Sequence, residues 1–398
     1  MEEKKKSVQL NHEIPQSSEG VTSNRLKWGL DLVFVLMFMA CIFVPFVLLD
    51  TTETIDSKLE NRSLTKWPGI DLTGEHNEWY GHYVEDRVAF REDAIRFYIK
   101  GTYALFHEFS EDLHMYGKDD WIFPADDAYI KAYQHLNTDE ELIDDLVTYL
   151  SRTNAYMESE GITFLFTVGM DKKTVYGEYF PDSIHVDESK ESILDMLSRK
   201  LEEADVPFVI PVKEFRGRTE TEQIYNKSYD CAHWNDLGSL YGMQLVDEVI
   251  RENHPELPPL LEEDFSLSYE TRNIEFIDLP IAEEVPVYTV KQKLRLGVHN
   301  KKAGKLTTVP GTTIQGYYNP DAVCDTKILI VHDSFLEENH KYFTYRYREV
   351  YMVPRQNYTH LQEYVEALHP DVVLFENAER AFVDDLYAYT ELADVTYE

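Results

Sequence analysis

Cysteine is nearly absent from this chain. Its 398 residues include three, Cys41, Cys231 and Cys324, too few and too scattered for a disulfide framework or a zinc cluster. Basic residues are scarce as well: 38 Lys and Arg stand against 73 Asp and Glu, a formal net charge of -35. An acid excess of that size repels nucleic acid and anionic lipid alike, which disfavours either as the partner, so no nucleic acid is expected, and favours a well-solvated body. Charge alone names no substrate. The chain carries no phosphate-cradling glycine loop and no cluster of metal-ligating side chains, so no cofactor and no metal is expected. Long apolar runs are limited to one.

That run spans residues 28–49. From Leu32 to Leu49 every residue is uncharged and nearly all are apolar, and with Trp28, Gly29 and Leu30 the stretch reaches the ~20 residues that a bilayer crossing needs. Arg25 and Lys27 precede it, and Asp50, Glu53 and Asp56 follow it. The positive-inside bias then puts the polar tail, residues 1–27, in the cytoplasm and the remainder outside. A cleaved signal peptide is the alternative; the long polar lead and the lack of a small-x-small site past Leu49 argue for an anchor.

Residues 50–137 read as a linker and an N-terminal helical region. Glu75 to His107 alternates aromatic and charged residues at helical spacing and is broken around Asp86-Arg87-Val88-Ala89-Phe90-Arg91, which predicts two amphipathic helices with Trp79, Tyr80, Tyr83 and Phe97 as packing residues. Met115 to Phe123 reads as a hairpin with a polar turn.

Residues 138–398 carry an α/β rhythm. Thr138-x-x-Glu141 is a capping box ahead of a helix that Gly161 ends. Ile162 to Val168 reads as a buried strand, Glu188 to Glu203 as a helix, Pro207 to Val212 as a strand and Asn235 to Asn253 as a helix. Lys327 to Val331, Glu349 to Val353 and Asp371 to Phe375 are further strands, and a second capping box, Thr359-x-x-Gln362, opens a helix ending at Leu368. The expectation is a doubly wound domain of about five parallel strands with its functional loops at the carboxyl edge. Residues 255–319 depart from this rhythm, with prolines, acids and short alternating runs, and read as a β-rich insertion, either a wall over the site or a structural embellishment.

Two stretches carry chemistry. Lys327 to Phe335 is an apolar strand that ends on His332-Asp333-Ser334, a geometry that stands a serine hydroxyl at the sheet edge, with its own N–H facing the same point at a helix start. Upstream, Asp230-Cys231-Ala232-His233-Trp234-Asn235 puts a carboxylate and an imidazole within reach of each other, as a base and its orienter require. Ser334 as nucleophile, His233 as base and Asp230 as orienter form one reading; Cys231 beside His233 is the competing partner. On the plainer reading Ser334 caps a helix and His233 is a satisfied loop histidine.

These residues resemble the SGNH hydrolase-like alginate O-acetyltransferase group, also called DHHW proteins. Asp230-x-x-His233-Trp234-Asn235-x-x-Gly238 is similar to its Asp/His-Trp signature, and His332-Asp333-Ser334-Phe335 to its Gly-Asp-Ser-Phe block, in the same order. Glu60-Asn61-Arg62, Asp86-Arg87-x-x-Phe90-Arg91, Trp121-Ile122-Phe123, and Pro370-Asp371-x-x-x-x-Glu376 with Glu379-Arg380 resemble further landmarks. Two positions depart from the pattern: the family often has Asp where Cys231 stands, and Gly where His332 stands. The resemblance implies an SGNH or flavodoxin-like three-layer sandwich, an extracytoplasmic O-acetyltransferase working through an acetyl-serine on a cell-surface or secreted polysaccharide, and a membrane-bound O-acyltransferase as acetyl supplier. Ser334 N–H and Arg355 are the expected oxyanion donors. A polysaccharide acetyl esterase and an inactive carbohydrate-binding protein remain the alternatives.

Overall fold

The computed structural model describes residues 19–51, 56–57, 62–70, 73–74, 77–110, 113–136, 139–274, 279–298, 300–382 and 392–397. Its contacts divide the chain into two compact units, Met1–Tyr98 and Ile99–Glu398. In the first unit, helix α1 (Glu19–Val47) contains the stretch Lys27–Val47, 21 residues at a hydropathy of 2.6, long and apolar enough to cross a membrane. Helices α2 (Asn77–Arg87) and α3 (Arg91–Phe106) follow, broken at the expected place, where Phe90 takes a left-handed backbone with φ 64. Tyr80 and Tyr83 pack on the Trp67 ring, as expected of core residues. Trp79 and Phe97, also expected as packing residues, are instead 58% and 81% exposed. Glu60 and Asn61 lie outside the described residues.

The second unit begins at Ile99, within α3, and continues into a hairpin, β1 (His114–Tyr116) and β2 (Ile122–Pro124), closed by a 3-10 turn. Helix α4 (Glu140–Ser159) follows; Thr138 is outside the described residues, and the side chain that caps α4 is that of Asp139, which accepts from Leu142 N–H at 3.0 Å. Strand β3 (Thr163–Gly169), helix α5 (Ile193–Glu203), strand β4 (Phe208–Val209), helix α6 (Val212–Thr219) and helix α7 (Asp236–Asn253) come next. Helix α5 begins later than its apolar pattern suggests, because Ser192 caps it through Asp195 N–H. Helix α6 was not foreseen: it is short and polar, and it occupies the ground after a β4 that is only two residues long.

The insertion is a hairpin, β5 (Phe265–Asn273) with β6 (Ala282–Val290), followed by β7 (Gly297–Val298) and β8 (Gln315–Tyr318). Strands β9 (Lys327–His332), β10 (Glu349–Pro354) and β11 (Val372–Ala378) complete the unit, with helix α8 (Leu361–Leu368) between the last two. The capping box at Thr359 is not formed. Arg355–His360 winds as a 3-10 helix whose ladder already takes the Leu361 N–H to Tyr358 O.

The main sheet has the order β4-β3-β11-β9-β10-β8-β7. Its first five strands are parallel, as the apolar runs predict. The last two are antiparallel, so the sheet is mixed, and it is the insertion that extends it. Every residue of β11 is buried, and so are the last five of β9, which is why these central strands read as continuous apolar runs. Tyr149 of α4 lies edge-on to Phe375 of β11, ring centroids 5.8 Å apart, locking a helix to the sheet centre.

Candidate active site

Four parallel strands deliver their following residues to one sheet edge: Asp171, Lys172 and Lys173 after β3, Ser334 after β9, Arg355 after β10, and Glu379 and Arg380 after β11. The loop ahead of α7 brings Asp230 and His233 to the same place. His233 Nδ1 lies 2.8 Å from Asp230 Oδ2, and His233 Nε2 lies 2.9 Å from Ser334 Oγ. The carboxylate that faces the imidazole is thus Asp230; Cys231 is a half-buried free thiol.

The local sequence explains why Asp230 reaches. Its Oδ1 accepts from the N–H groups of Ala232 (2.8 Å) and His233 (2.9 Å), so the side chain closes its own turn and presents the second oxygen to the ring. Burial pushes its carboxyl toward neutrality, but the His233 charge and these hydrogen bonds outweigh that and hold it far below the ordinary carboxylate range. With Asp230 ionised, Nδ1 carries the proton and donates, and Nε2 is left as the acceptor facing the serine hydroxyl.

Neighbours hold the loop. Trp234 Nε1 donates to Phe335 O at 3.2 Å and its ring meets that of Phe335 edge-on, tying the His233 loop to the Ser334 turn. Asn235 caps α7 by accepting from Gly238 N–H at 3.0 Å. A Cβ on Gly238 would stand 2.1 Å from Ile224 O. The close approach of α7 to that backbone therefore requires glycine, and Gly238→Ala is expected to cost about 1–3 kcal/mol through overpacking, read as a lowered melting temperature with a parallel loss of activity.

The insertion also reaches this loop. Glu283 of β6 accepts from the N–H groups of Lys227, Ser228 and Tyr229 at 2.8, 2.8 and 2.9 Å. From below, Lys172, fully buried, donates from Nζ to Ile122 O and Asp230 O at 2.9 and 2.5 Å. Burial pulls its ammonium down to about 8. The loop is thus held at the amides of residues 227–229 by Glu283 and at the Asp230 carbonyl by Lys172.

The turn at Ser334 differs from the sequence expectation. Residues 334–340 form turns, and the next helix is the single turn Lys341–Thr344, so Ser334 does not sit at a helix start. The Ser334 N–H, expected as an oxyanion donor, donates to Asp333 Oδ1 at 2.9 Å. Arg355, the other expected donor, is buried with Nε 2.9 Å from Asp333 Oδ2. Asp333 engages both. His332 is buried, and burial favours the neutral form of its ring.

Beneath Asp333 lies Glu376, fully buried within β11, whose Oε2 accepts from Asp333 N–H at 2.7 Å. Burial first, and then the negative charge of Asp333, push its carboxyl up to about 8. The folded chain therefore keeps this proton up to about pH 8, whereas an unfolded glutamate releases it near the ordinary 4.5. Between those values the folded state binds more protons, so stability falls as pH rises. Glu376→Gln keeps the shape of the protonated acid, and its melting temperature is expected to decline less than that of the parent between pH 5 and pH 8.

Sequence reasoning missed Asp171, Lys172 and Lys173 and gave Glu376, Glu379 and Arg380 no chemical role. The available signal was charge placed inside or directly after an apolar strand: Phe164 to Met170 runs straight into Asp-Lys-Lys, and Glu376 interrupts β11. In the structure Glu379 Oε1 accepts from Lys173 Nζ at 2.5 Å and from Thr174 Oγ1 at 2.7 Å, while its Oε2 accepts from Asp171 N–H at 2.9 Å. Arg380 Nε lies 3.3 Å from Asp171 Oδ1, and Arg380 Nη2 lies 3.1 Å from His233 Nε2.

A search of curated proteins finds no match. Among solved structures the chain is similar to Bacillus cereus PatB1, at 14% identity and a TM-score of 0.54, over 70% of this chain and 100% of that one. It is similar to the same protein with a sulfonyl adduct at a TM-score of 0.53 and 14% identity, over 69% and 99% of the two chains. The O-acetyltransferase domain of Pseudomonas putida AlgJ is matched at 12% identity and a TM-score of 0.46, over 71% and 98%. At this identity the PatB1 likeness shows the fold. Residues 115–274 match the family described as SGNH hydrolase-like domain, acetyltransferase AlgX, a match that contains Asp230 and His233 and stops short of Ser334. The chain thus has an SGNH-like α/β fold, and its residues 115–274 are similar to the SGNH hydrolase-like domain of acetyltransferase AlgX.

Proposed function

We propose that this chain is a membrane-anchored, extracytoplasmic O-acetyltransferase that modifies a cell-surface or secreted polysaccharide through an acetyl-Ser334 intermediate. The observation that carries the reading is the continuous relay Asp230–His233–Ser334, with contacts of 2.8 and 2.9 Å and the serine exposed at the sheet edge. His233 Nε2 takes the Ser334 proton as Oγ attacks an acetyl carbonyl, and Asp230 stabilises the imidazolium. The imidazolium then protonates the departing oxygen. In the second half a sugar hydroxyl gives its proton to the same nitrogen and takes the acetyl group from Ser334.

The apolar helix α1 supports a single membrane crossing, with residues 1–27 in the cytoplasm. One helix does not conduct an acyl group, so the acetyl supply calls for a multi-span partner, a membrane-bound O-acyltransferase, that hands acetyl groups to Ser334. Because Ser334 is exposed, water also reaches an acyl-serine there, which favours a polysaccharide acetyl esterase as the second reading. Deleting the gene and measuring polymer acetylation separates them. A fall supports the transferase, a rise supports the esterase, and no change leaves a carbohydrate-binding role.

A further inference from the structure

Groups at three strand ends surround the reacting atoms, and those after β9 and β10 are committed to each other through Asp333. The Ser334 N–H donates to Asp333 Oδ1, and Arg355 pairs with Asp333 Oδ2. The third strand end, that of β11, supplies Arg380. Its Nη2 is 3.1 Å from His233 Nε2, the same nitrogen that stands 2.9 Å from Ser334 Oγ. A neutral imidazole nitrogen offers one in-plane lone pair, so the arginine and serine donors compete for it. When Nε2 takes the serine proton it ceases to accept at all, and a guanidinium is left facing an imidazolium at contact distance.

We infer that Arg380 is the oxyanion donor of this site, resting on His233 Nε2 and moving its Nη2 group onto the acyl carbonyl oxygen as Ser334 attacks. This rests on the acyl-serine reading above. In the attack on an O-acetyl ester, Ser334 Oγ bonds to the carbonyl carbon, the C=O π pair moves onto oxygen, and the Oγ proton passes to Nε2. Negative charge therefore appears on oxygen at the moment Arg380 loses its resting acceptor, and a charged acceptor replaces a neutral one. Collapse restores the C=O bond and expels the ester's alcohol oxygen, which takes the proton from Nε2 and frees that nitrogen to accept from Arg380 again.

The side chain is built for a short swing about a held pivot. Arg380 Nε is 3.3 Å from the buried Asp171 carboxylate, and its guanidinium carbon is 5.3 Å from the ring centroid of Phe335, the residue after the nucleophile. The carboxylate of Glu379, the residue before Arg380, is itself held by Lys173 Nζ and Thr174 Oγ1. The Arg380 side chain is 21% exposed, so it is not sealed in the core.

The test uses the full chain in detergent with p-nitrophenyl acetate. Arg380→Gln is expected to lower kcat by roughly 10²–10³-fold with KM changed less than about threefold, the signature of a transition-state contact, and Arg380→Lys to keep part of the rate. A folded Arg380→Gln with kcat within about threefold of the parent, beside an inactive Ser334→Ala, overturns the assignment and leaves the acyl-serine standing. Full activity in Ser334→Ala would instead sink the acyl-serine reading itself. Should Arg380→Gln melt early, millimolar guanidinium added to Arg380→Ala decides: a rise in kcat of about tenfold supports the role, and no rise overturns it.

Discussion

Ser334→Ala is expected to abolish aryl-acetate turnover by the full chain, a loss of about 10³-fold or more, with the melting temperature nearly unchanged. In the proposed mechanism the hydroxyl is the attacking group, and its loss leaves His233 with no proton to take; removing a member of a unit that works together costs about as much as removing the whole unit. Stability is spared because Ser334 is exposed and the turn is held by other atoms. Asp333 receives Ala378 N–H at 3.2 Å, and Phe335 O accepts from Trp234 Nε1 and from Asn339 Nδ2 at 2.7 Å. None of these contacts uses the Ser334 side chain. His233→Ala should match the loss. Full turnover by a folded Ser334→Ala would mean that the ester is cleaved elsewhere.

Asp230→Asn should slow turnover nearly as much, by up to about 10⁴-fold, whereas Cys231→Ser should stay within about twofold. The carboxylate fixes the tautomer by accepting from Nδ1 at 2.8 Å. An amide in its position keeps one oxygen for the Ala232 and His233 N–H groups and turns an NH₂ toward Nδ1, which drives the ring proton to Nε2. The nitrogen facing Ser334 is then a donor, and the base is lost although every heavy atom stays in place. Crystallography of Asp230→Asn would show unchanged positions beside the lost rate. A larger loss in Cys231→Ser than in Asp230→Asn would contradict the loop register seen here.

Much of this architecture was legible in the sequence because its determinants are local. The strands β3, β9, β10 and β11 are short apolar runs bounded by turn residues, helix α7 begins after a capping asparagine, and the membrane-length helix declares itself by composition. The elements that misled have weak local signals. Helix α6 is polar, the capping box at Thr359 lost to a 3-10 ladder, and the aromatic pattern of α2 and α3 promised burial that Trp79 and Phe97 do not have.

At the site, sequence by itself singled out the candidate residues: a serine at the end of an apolar strand, and an acid and an imidazole three residues apart. Their meeting was decided by the tertiary structure, since His233 and Ser334 lie 101 positions apart and no short-range rule joins them. The choice of Asp230 over Cys231 turned on the pitch of one turn, set by two amides of that turn and by Glu283 of the distant insertion. The commitment of the Ser334 amide to Asp333, and the arrival of Arg380 at His233, depend on which strand lies next to which. Strand order is fixed by the packing of the whole sheet, and residues brought together by it carry no mark of their neighbours in the chain.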